Sequence, residues 1–249
     1  MKNIAYICAF LCSLLFITAC STSEKDSSSF RVARERTWYA LNLKDREQRV
    51  TAFNDELIQI LAEAEGIDLS LVILPAGESV NELRRANIDG TLTAIRQEGA
   101  GSERFIFSEM YLALGHVLLV KTDSVVRSMD DMYEKLLGVR YGSSLVFDTS
   151  QNPSMAIREY AHIGEGIDDL VNGRIDAVAA EFLTAEDYVN NIYEGKIRMI
   201  LPPVTNVGLR LMTLKDNPRG DELAERFAVG LQKLRQNGTY AELRKKWRL

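Results

Sequence analysis

One pattern occurs twice in this chain, and it limits the fold more than any other feature. Leu83-Arg-Arg-Ala-Asn-Ile88-Asp89-Gly90-Thr-Leu92-Thr-Ala94 is matched 87 residues later by Leu170-Val-Asn-Gly-Arg-Ile175-Asp176-Ala177-Val-Ala179-Ala-Glu181. Leu, Ile and Asp hold the same places, followed by a small residue and a run of small and apolar residues. Each copy reads as the end of a short helix, a tight turn and a buried strand. Such patterns are common enough for a chance match; taken as a repeat, the pair implies two lobes of related build. In open α/β sheets, ligands gather outside the carboxyl ends of the strands. Two such ends facing each other across a gap form a clamp. The strand ends at Ala94–Arg96 and at Glu181 are therefore the first candidate binding positions.

The surrounding segments read as α/β. Phe30–Arg34 is a first strand, followed by the aromatic pair Trp38-Tyr39. Trp38 is the one expected to keep an exposed ring. Phe53, Leu57, Ile60, Leu61 and Ala64 form one apolar helix stripe, closed by Gly66. Leu69–Leu74 is a second strand, broken by Pro75 and Gly77. Ser79 and Glu82 have capping-box spacing at the start of the next helix. The strand after Asp89 completes a β-α-β-α-β unit, which points to a parallel sheet with right-handed crossovers.

After an irregular stretch at Arg96–Arg104, Leu114–Val120 is an apolar strand. The polar run Lys121–Ser128 reads as a crossing between lobes. The second lobe is expected to hold a helix over Ser128–Leu136 and then a strand ending in Gly142, Ser143 and Ser144. A helical pattern follows over residues 154–172, then the second repeat, a helix at Thr184–Asn191 and a strand at Ile197–Ile200. Glycine with hydroxyls at a strand end suits an anionic group, and equally a plain helix cap. Pro202-Pro203 marks a second crossing. Leu209–Leu214 returns as a strand. Leu223, Phe227, Leu231 and Leu234 line a helix that Asn237-Gly238 stops, and Thr239 with Glu242 forms a second capping box. Tyr240, Leu243 and Trp247 read as core.

The chain has 249 residues, 46% of them hydrophobic, enough for one large domain or two modest ones. A net charge of −5 with no basic face argues against a nucleic-acid partner. Residues 1–19 read as a signal peptide: Lys2, then the apolar run Ile4–Ile17, then Thr18-Ala19 before Cys20. Ser21–Ser29 has no apolar residue and reads as a flexible tether. The cysteines are Cys8, Cys12 and Cys20. Removal of the leader takes two of them, which leaves no disulfide and no thiol nucleophile in the folded part. Small residues directly before Cys20 resemble a bacterial lipoprotein cleavage box. That resemblance implies cleavage before Cys20, lipid on its sulfur and amine, and a periplasmic domain anchored to a membrane.

Six segments in order resemble the bacterial extracellular solute-binding proteins of family 3. They are Phe53-Asn-Asp-Glu-Leu57, Leu83 to Asp89-Gly90, Phe107-Ser108-x-x-Tyr111, Gly138-Val139-x-x-Gly142-Ser143, Gly173-Arg174-Ile175-Asp176-Ala177, and Asn237-Gly238-Thr-Tyr240 with Lys246-Trp247. The resemblance spans about Phe30 to Trp247. It implies a type 2 periplasmic-binding fold: two α/β lobes, each a mainly parallel sheet flanked by helices, joined by two hinge strands. Lobe one would hold residues 30–117 and 206–249, and lobe two residues 118–205. It also implies a monomeric receptor that closes on a small polar solute, an amino acid first of all, and delivers it to the inner-membrane permease of an ABC importer. No cofactor and no metal are implied.

Carried over residue by residue, Glu181 matches the acid that holds an α-amino group and Ser143, with Ser144 beside it, the hydroxyl-and-amide position at the carboxylate. Trp38 matches the aromatic that covers the ligand, and Ala94 lies on the facing strand end. The family arginine for the α-carboxylate falls on Gly101 here. Arg96 supplies the guanidinium if the strand end faces the cleft; Arg104 does so only with the loop shifted by three residues. If neither reaches, the ligand is not a standard α-amino acid. Two other readings stay open on the same fold. One is a cyclohexadienyl-type dehydratase, for which Glu98, Glu103 and Glu181 are the candidate acids. The other is a sensor domain without transport. His116 and His162 read as structural.

Overall fold

The computed structural model describes residues 29–38, 41, 43, 46–95, 101–143, 145 and 154–249. The leader, Cys20, Arg96, Glu98 and Ser144 lie outside them. The elements in chain order are β1 (Phe30–Glu35), α1 (Glu47–Glu65), β2 (Leu69–Leu74), α2 (Ser79–Arg84), β3 (Gly90–Thr93), β4 (Phe105–Phe107), β5 (Leu112–Ala113) and β6 (His116–Lys121). They continue with β7 (Leu136–Arg140), β8 (Ala156–Tyr160), α3 (Ile163–Val171), β9 (Ala177–Glu181), α4 (Phe182–Asp187), β10 (Ile197–Ile200), β11 (Gly208–Leu214), α5 (Pro218–Gln236) and α6 (Thr239–Trp247).

Two sheets form, in the orders β2-β1-β3-β11-β4 and β8-β7-β9-β6-β10. The orders are equivalent, position for position. In each, the repeat strand, β3 or β9, is central. On one side it has two strands linked by parallel pairings. On the other side lies a strand that has just crossed from the other lobe, and this one runs antiparallel. Along each path four of the five strands run one way, as a mainly parallel sheet requires, and only the strand from the other lobe is reversed. A strand that enters from the other lobe starts at the end where the repeat strand finishes, so it must run the opposite way.

The two aspartates of the repeat do the same work. Asp89 takes the backbone N–H of Arg31, at the start of β1, on its carboxylate at 2.8 Å, and gives its own N–H to the Arg31 carbonyl at 2.8 Å. Asp176 does this with Leu136, at the start of β7, at 2.8 and 3.0 Å. A carboxylate closes the open edge of each parallel pair with a charge-assisted bond where the ladder begins. The small residue after each aspartate is also explained. A Cβ at Gly90 would press on Leu223 and Leu211, and the Ala177 side chain is fully buried.

Amphipathic spacing places the cores. In α1, Val50, Phe53, Leu57, Ile58 and Leu61 are buried, and Gly66 ends the helix at φ 61°. In α5, Leu223, Phe227, Leu231 and Leu234 are buried against the same core. A second core lies on the other face of the second sheet, around Leu118, Met132, Leu137 and Val139.

Several local expectations are corrected. The crossing between lobes lies between Ala113 and His116, ahead of the apolar strand, and not at Lys121–Ser128. β6 therefore begins the second sheet two residues before the expected boundary at 118. The segment 128–136 holds only a single 3-10 turn, Asp130–Met132, and not the expected α-helix. The Asp131 carboxylate takes the N–H groups of Arg127 and Ser128, which makes a tight turn, and Glu134 has φ 55°. Residues 156–160 are the edge strand β8, not the start of a helix. Neither capping box forms. Glu78 and Gly238 stand at the two N-cap positions without side-chain cap bonds, and Ser79 is engaged elsewhere.

Candidate functional site

Strand direction fixes where a ligand can sit. β11 begins just after the return crossing, with Arg210 opposite Thr93 near the carboxyl end of β3. β6 begins just after the outward crossing, with His116 opposite Glu181 at the carboxyl end of β9. Both repeat strands therefore point their carboxyl ends at the same pair of crossings. The crossings are bonded to each other: Leu114 and Gly115 donate to the Val207 carbonyl at 3.0 and 2.8 Å, and Val204 donates to the His116 carbonyl at 2.8 Å. The two crossings thus run side by side, each a short segment outside the strands. The strand ends beside them are the two candidate walls of a binding site.

The second-lobe wall is polar. Glu181 ends β9, and the N–H of Phe182 is fixed to the Gly115 carbonyl at 2.7 Å. Arg140 ends the neighbouring strand β7, and its Nη2 donates to Glu181 Oε1 at 3.1 Å. The two side chains are 31% and 28% exposed, so the pair is open to a solute yet held in place. Ser143 follows, buried, after Gly142 at φ 71°. Its hydroxyl lies 3.2 Å from His116 Nε2 and accepts the N–H of Leu145 at 3.3 Å. Four side chains from three strand ends thus meet at this mouth. Glu181 and Ser143 are the two that the sequence points to. Arg140 and His116 are additions; His116, which reads from the sequence as structural, stands opposite Glu181 in the ladder. The signal for it is its place at the first residue of the strand after the crossing.

The first-lobe wall is a shallow recess lined by Glu35, Trp38, Thr93, Ala94 and Ile95 among others. Trp38 is only 4% exposed, which corrects the expectation of an exposed ring. Its indole N–H donates to Thr51 Oγ1 at 2.9 Å and its backbone N–H to Glu47 at 3.1 Å, so α1 holds the ring with one edge on the recess. Ala94 is half-buried beside it. Glu35, missed in the sequence, is 9% exposed and accepts the Ser79 hydroxyl at 2.7 Å. Arg104, by contrast, sits on an exposed turn. Gly101, where the resemblance expects arginine, has φ 86°.

Helix α4, which starts at the residue after Glu181, is tied to the first lobe. Arg244 of α6 donates to Glu186 at 2.6 Å and lies 5.7 Å from the Phe182 ring centre. Arg46, ahead of α1, donates to Asp187 at 2.6 Å. A larger recess, by Lys121, Thr122 and Lys196, lies at the opposite end of β6, remote from the convergent polar groups. Among the described residues no cluster of three or more metal-ligating side chains occurs, and no helix is long and apolar enough to cross a membrane.

Known proteins match over the whole folded region. The family model of bacterial extracellular solute-binding proteins, family 3, matches residues 30–249. The arginine-binding extracellular protein ArtP of Bacillus subtilis (strain 168) is 22% identical over 258 residues, spanning 99% of this chain and 98% of its own length. The L-cystine-binding protein TcyJ of Escherichia coli (strain K12) is 24% identical over 229 residues, 90% of this chain and 84% of its own. Among solved structures, the substrate-binding protein of a polar amino acid ABC uptake transporter from Streptococcus thermophilus superposes with a TM-score of 0.61, at 18% identity, over 88% of this chain and 86% of that one. The unliganded, open L-cystine solute receptor of Neisseria gonorrhoeae gives 0.60 at 17% identity, over 88% and 92%. Both show the same two-lobed fold.

Proposed function

Since the chain belongs to the bacterial extracellular solute-binding proteins, family 3, we propose that it binds a free amino acid between its lobes. Members of this family are binding proteins, and no catalytic step is assigned here. Glu181 takes the ligand's ammonium group, and Ser143, with Ser144 next to it, stands on the carboxylate side. Trp38 and Ala94 form the facing wall, and Arg96, which follows two residues later in the sequence, is the guanidinium expected from that side. The lobes divide at the two crossings, and a solute that touches both walls favours closure by its differential affinity for the closed form. The monomeric receptor then hands the solute to the permease of an ABC importer. Lipid on Cys20 and the tether after it hold the domain at a periplasmic membrane face.

Glu181 at the end of β9, with His116 opposite it in the ladder and Ser143 bonded to His116, carries this reading. A carboxylate in a narrow cleft between lobes suits an ammonium ligand. A melting-temperature screen of the purified protein against amino acids, dipeptides and oligopeptides tests it. Ligand at a hundred times its Kd adds about 2.7 kcal/mol to stability, so one or a few L-amino acids should raise the melting temperature by several degrees. A rise with peptides alone, or with none of the compounds, overturns the reading.

A further inference from the structure

The polar wall of the second lobe contains a guanidinium for which the expected ligand scheme has no use. Arg140 and Glu181 end adjacent strands, and their charged groups stand 3.1 Å apart at the mouth of the cleft. Only Nη2 is engaged by Glu181, and Nε is buried without a hydrogen-bond partner. A guanidinium carries five donors in a planar fork that fits a carboxylate in bidentate fashion. A buried donor without a partner is costly, and a slight turn of the fork toward an incoming carboxylate would satisfy it.

We propose that Arg140 binds the carboxylate of the ligand while Glu181 binds its ammonium group. This deepens the proposed function and rests on it. In an α-amino acid the two charges sit on one carbon, at about hydrogen-bond separation, as do the two charges of the Arg140–Glu181 pair. Laid head to tail against that pair, the zwitterion places each of its charges beside an opposite one, and signs alternate around the ring of four. Ser143 and His116, bonded to each other next to the pair, hold the turn that follows Arg140. In this scheme Arg140 takes the part expected of Arg96, so the ligand's backbone is read by the second lobe alone, and its side chain points at the first-lobe recess by Glu35 and Trp38. The ligand class follows: compounds with a free amine and a free carboxylate on one carbon. Amides and decarboxylated amines of the same compounds are excluded.

Calorimetry tests this with the standard L-amino acids, their C-terminal amides and two variants. The wild-type protein should prefer an acid over its amide by about 100-fold, the scale set by one charge-assisted hydrogen bond in a desolvated site. Arg140→Met should weaken the acid by a similar factor and leave the amide unchanged, so the preference disappears. Arg140→Lys keeps the charge without the fork and should fall between, and it serves if the Met variant fails to fold. Glu181→Gln should weaken acid and amide together. An undiminished acid preference in both Arg140 variants overturns the inference and leaves the proposed function standing. Tighter binding of the acid by Arg140→Met also overturns it, since Arg140 would then be a competitor for Glu181. If no L-amino acid binds the wild-type protein, both readings fall.

Discussion

Removing the repeat aspartates one at a time should have unequal effects, and the structure gives the ratio. Asp89 accepts the Arg31 N–H at 2.8 Å and also pairs with Arg219, at 2.9 Å from Nε and 3.1 Å from Nη2. Its side chain is 13% exposed, whereas that of Arg219 is 40% exposed. The charge-assisted bond to the partly buried N–H contributes about 2–3 kcal/mol. The half-exposed pair, screened by solvent, adds at most about 1 kcal/mol. Asp89→Ala should therefore cost about 3 kcal/mol. Asp176 is exposed and makes the equivalent bond to the Leu136 N–H, so Asp176→Ala should cost about half as much. At about 2–4 °C per kcal/mol for a domain of this size, the melting temperature should drop by about 6–12 °C for the first and about 3–6 °C for the second. Scanning calorimetry of the two variants measures both. Asparagine keeps an acceptor oxygen and should recover most of the loss at 176 but less at 89, where the ion pair also goes. Losses under about 0.5 kcal/mol at both positions would refute the account of the repeat as a doubled strand-opening device, and equal losses would refute the added weight given to burial and the Arg219 pair at Asp89.

Three further outcomes are expected. Gly115→Ala places a Cβ against the Thr205 side chain and carbonyl at the crossings; overpacking of this kind costs about 1–3 kcal/mol, and urea unfolding should show it, whereas a silent substitution would mean the crossings are loosely packed. Arg244→Met removes the ion pair to Glu186 and the packing on Phe182 that join α4 to the first lobe; calorimetry should resolve separate transitions for the two lobes, and one unbroken transition would show that these ties do not couple them. Acid should destabilise the fold through Glu56 and Asp169, whose carboxyls are held below their usual range by hydrogen bonds, Glu56 first of all from Lys246 and Asp169 from Arg174 and then Tyr160. Groups depressed in the folded state stabilise it above the unfolded value, and that contribution is lost as pH falls through the folded value. Melting temperature should therefore decline below about pH 4, and Lys246→Met should flatten part of the decline; a flat profile in the wild type would contradict the assignment.

Much of the fold was legible because long apolar stripes and doubled motifs survive without tertiary context. The stripe from Phe53 to Leu61, the stripe from Leu223 to Leu234 and both strands after Asp89 and Asp176 fall where periodicity puts them. Local signals failed where a distant partner outcompeted them. Ser79 has capping-box spacing, yet its hydroxyl goes to Glu35, 44 residues earlier in the chain. Arg158 and Glu159 on the edge strand β8 are exposed, so nothing in that segment alternates clearly enough to be told from a helix. The site was half legible. Glu181 and Ser143 stand at strand ends that the repeat and the Gly-Ser turn point to. Arg140, His116 and Glu35 join them only once strand order and the crossings are known, because each owes its place to a neighbour far away in sequence.

The central claim is that the two lobes close about the crossings at Gly115 and Val207 when an amino acid bridges the strand ends at Ala94 and Glu181. Small-angle scattering tests it most directly, on the purified protein with and without the L-amino acid that raises its melting temperature most. A smaller radius of gyration with ligand, and no change for Glu181→Ala at the same ligand concentration, is the predicted result. An identical scattering curve for the wild-type protein in both conditions would contradict the claim.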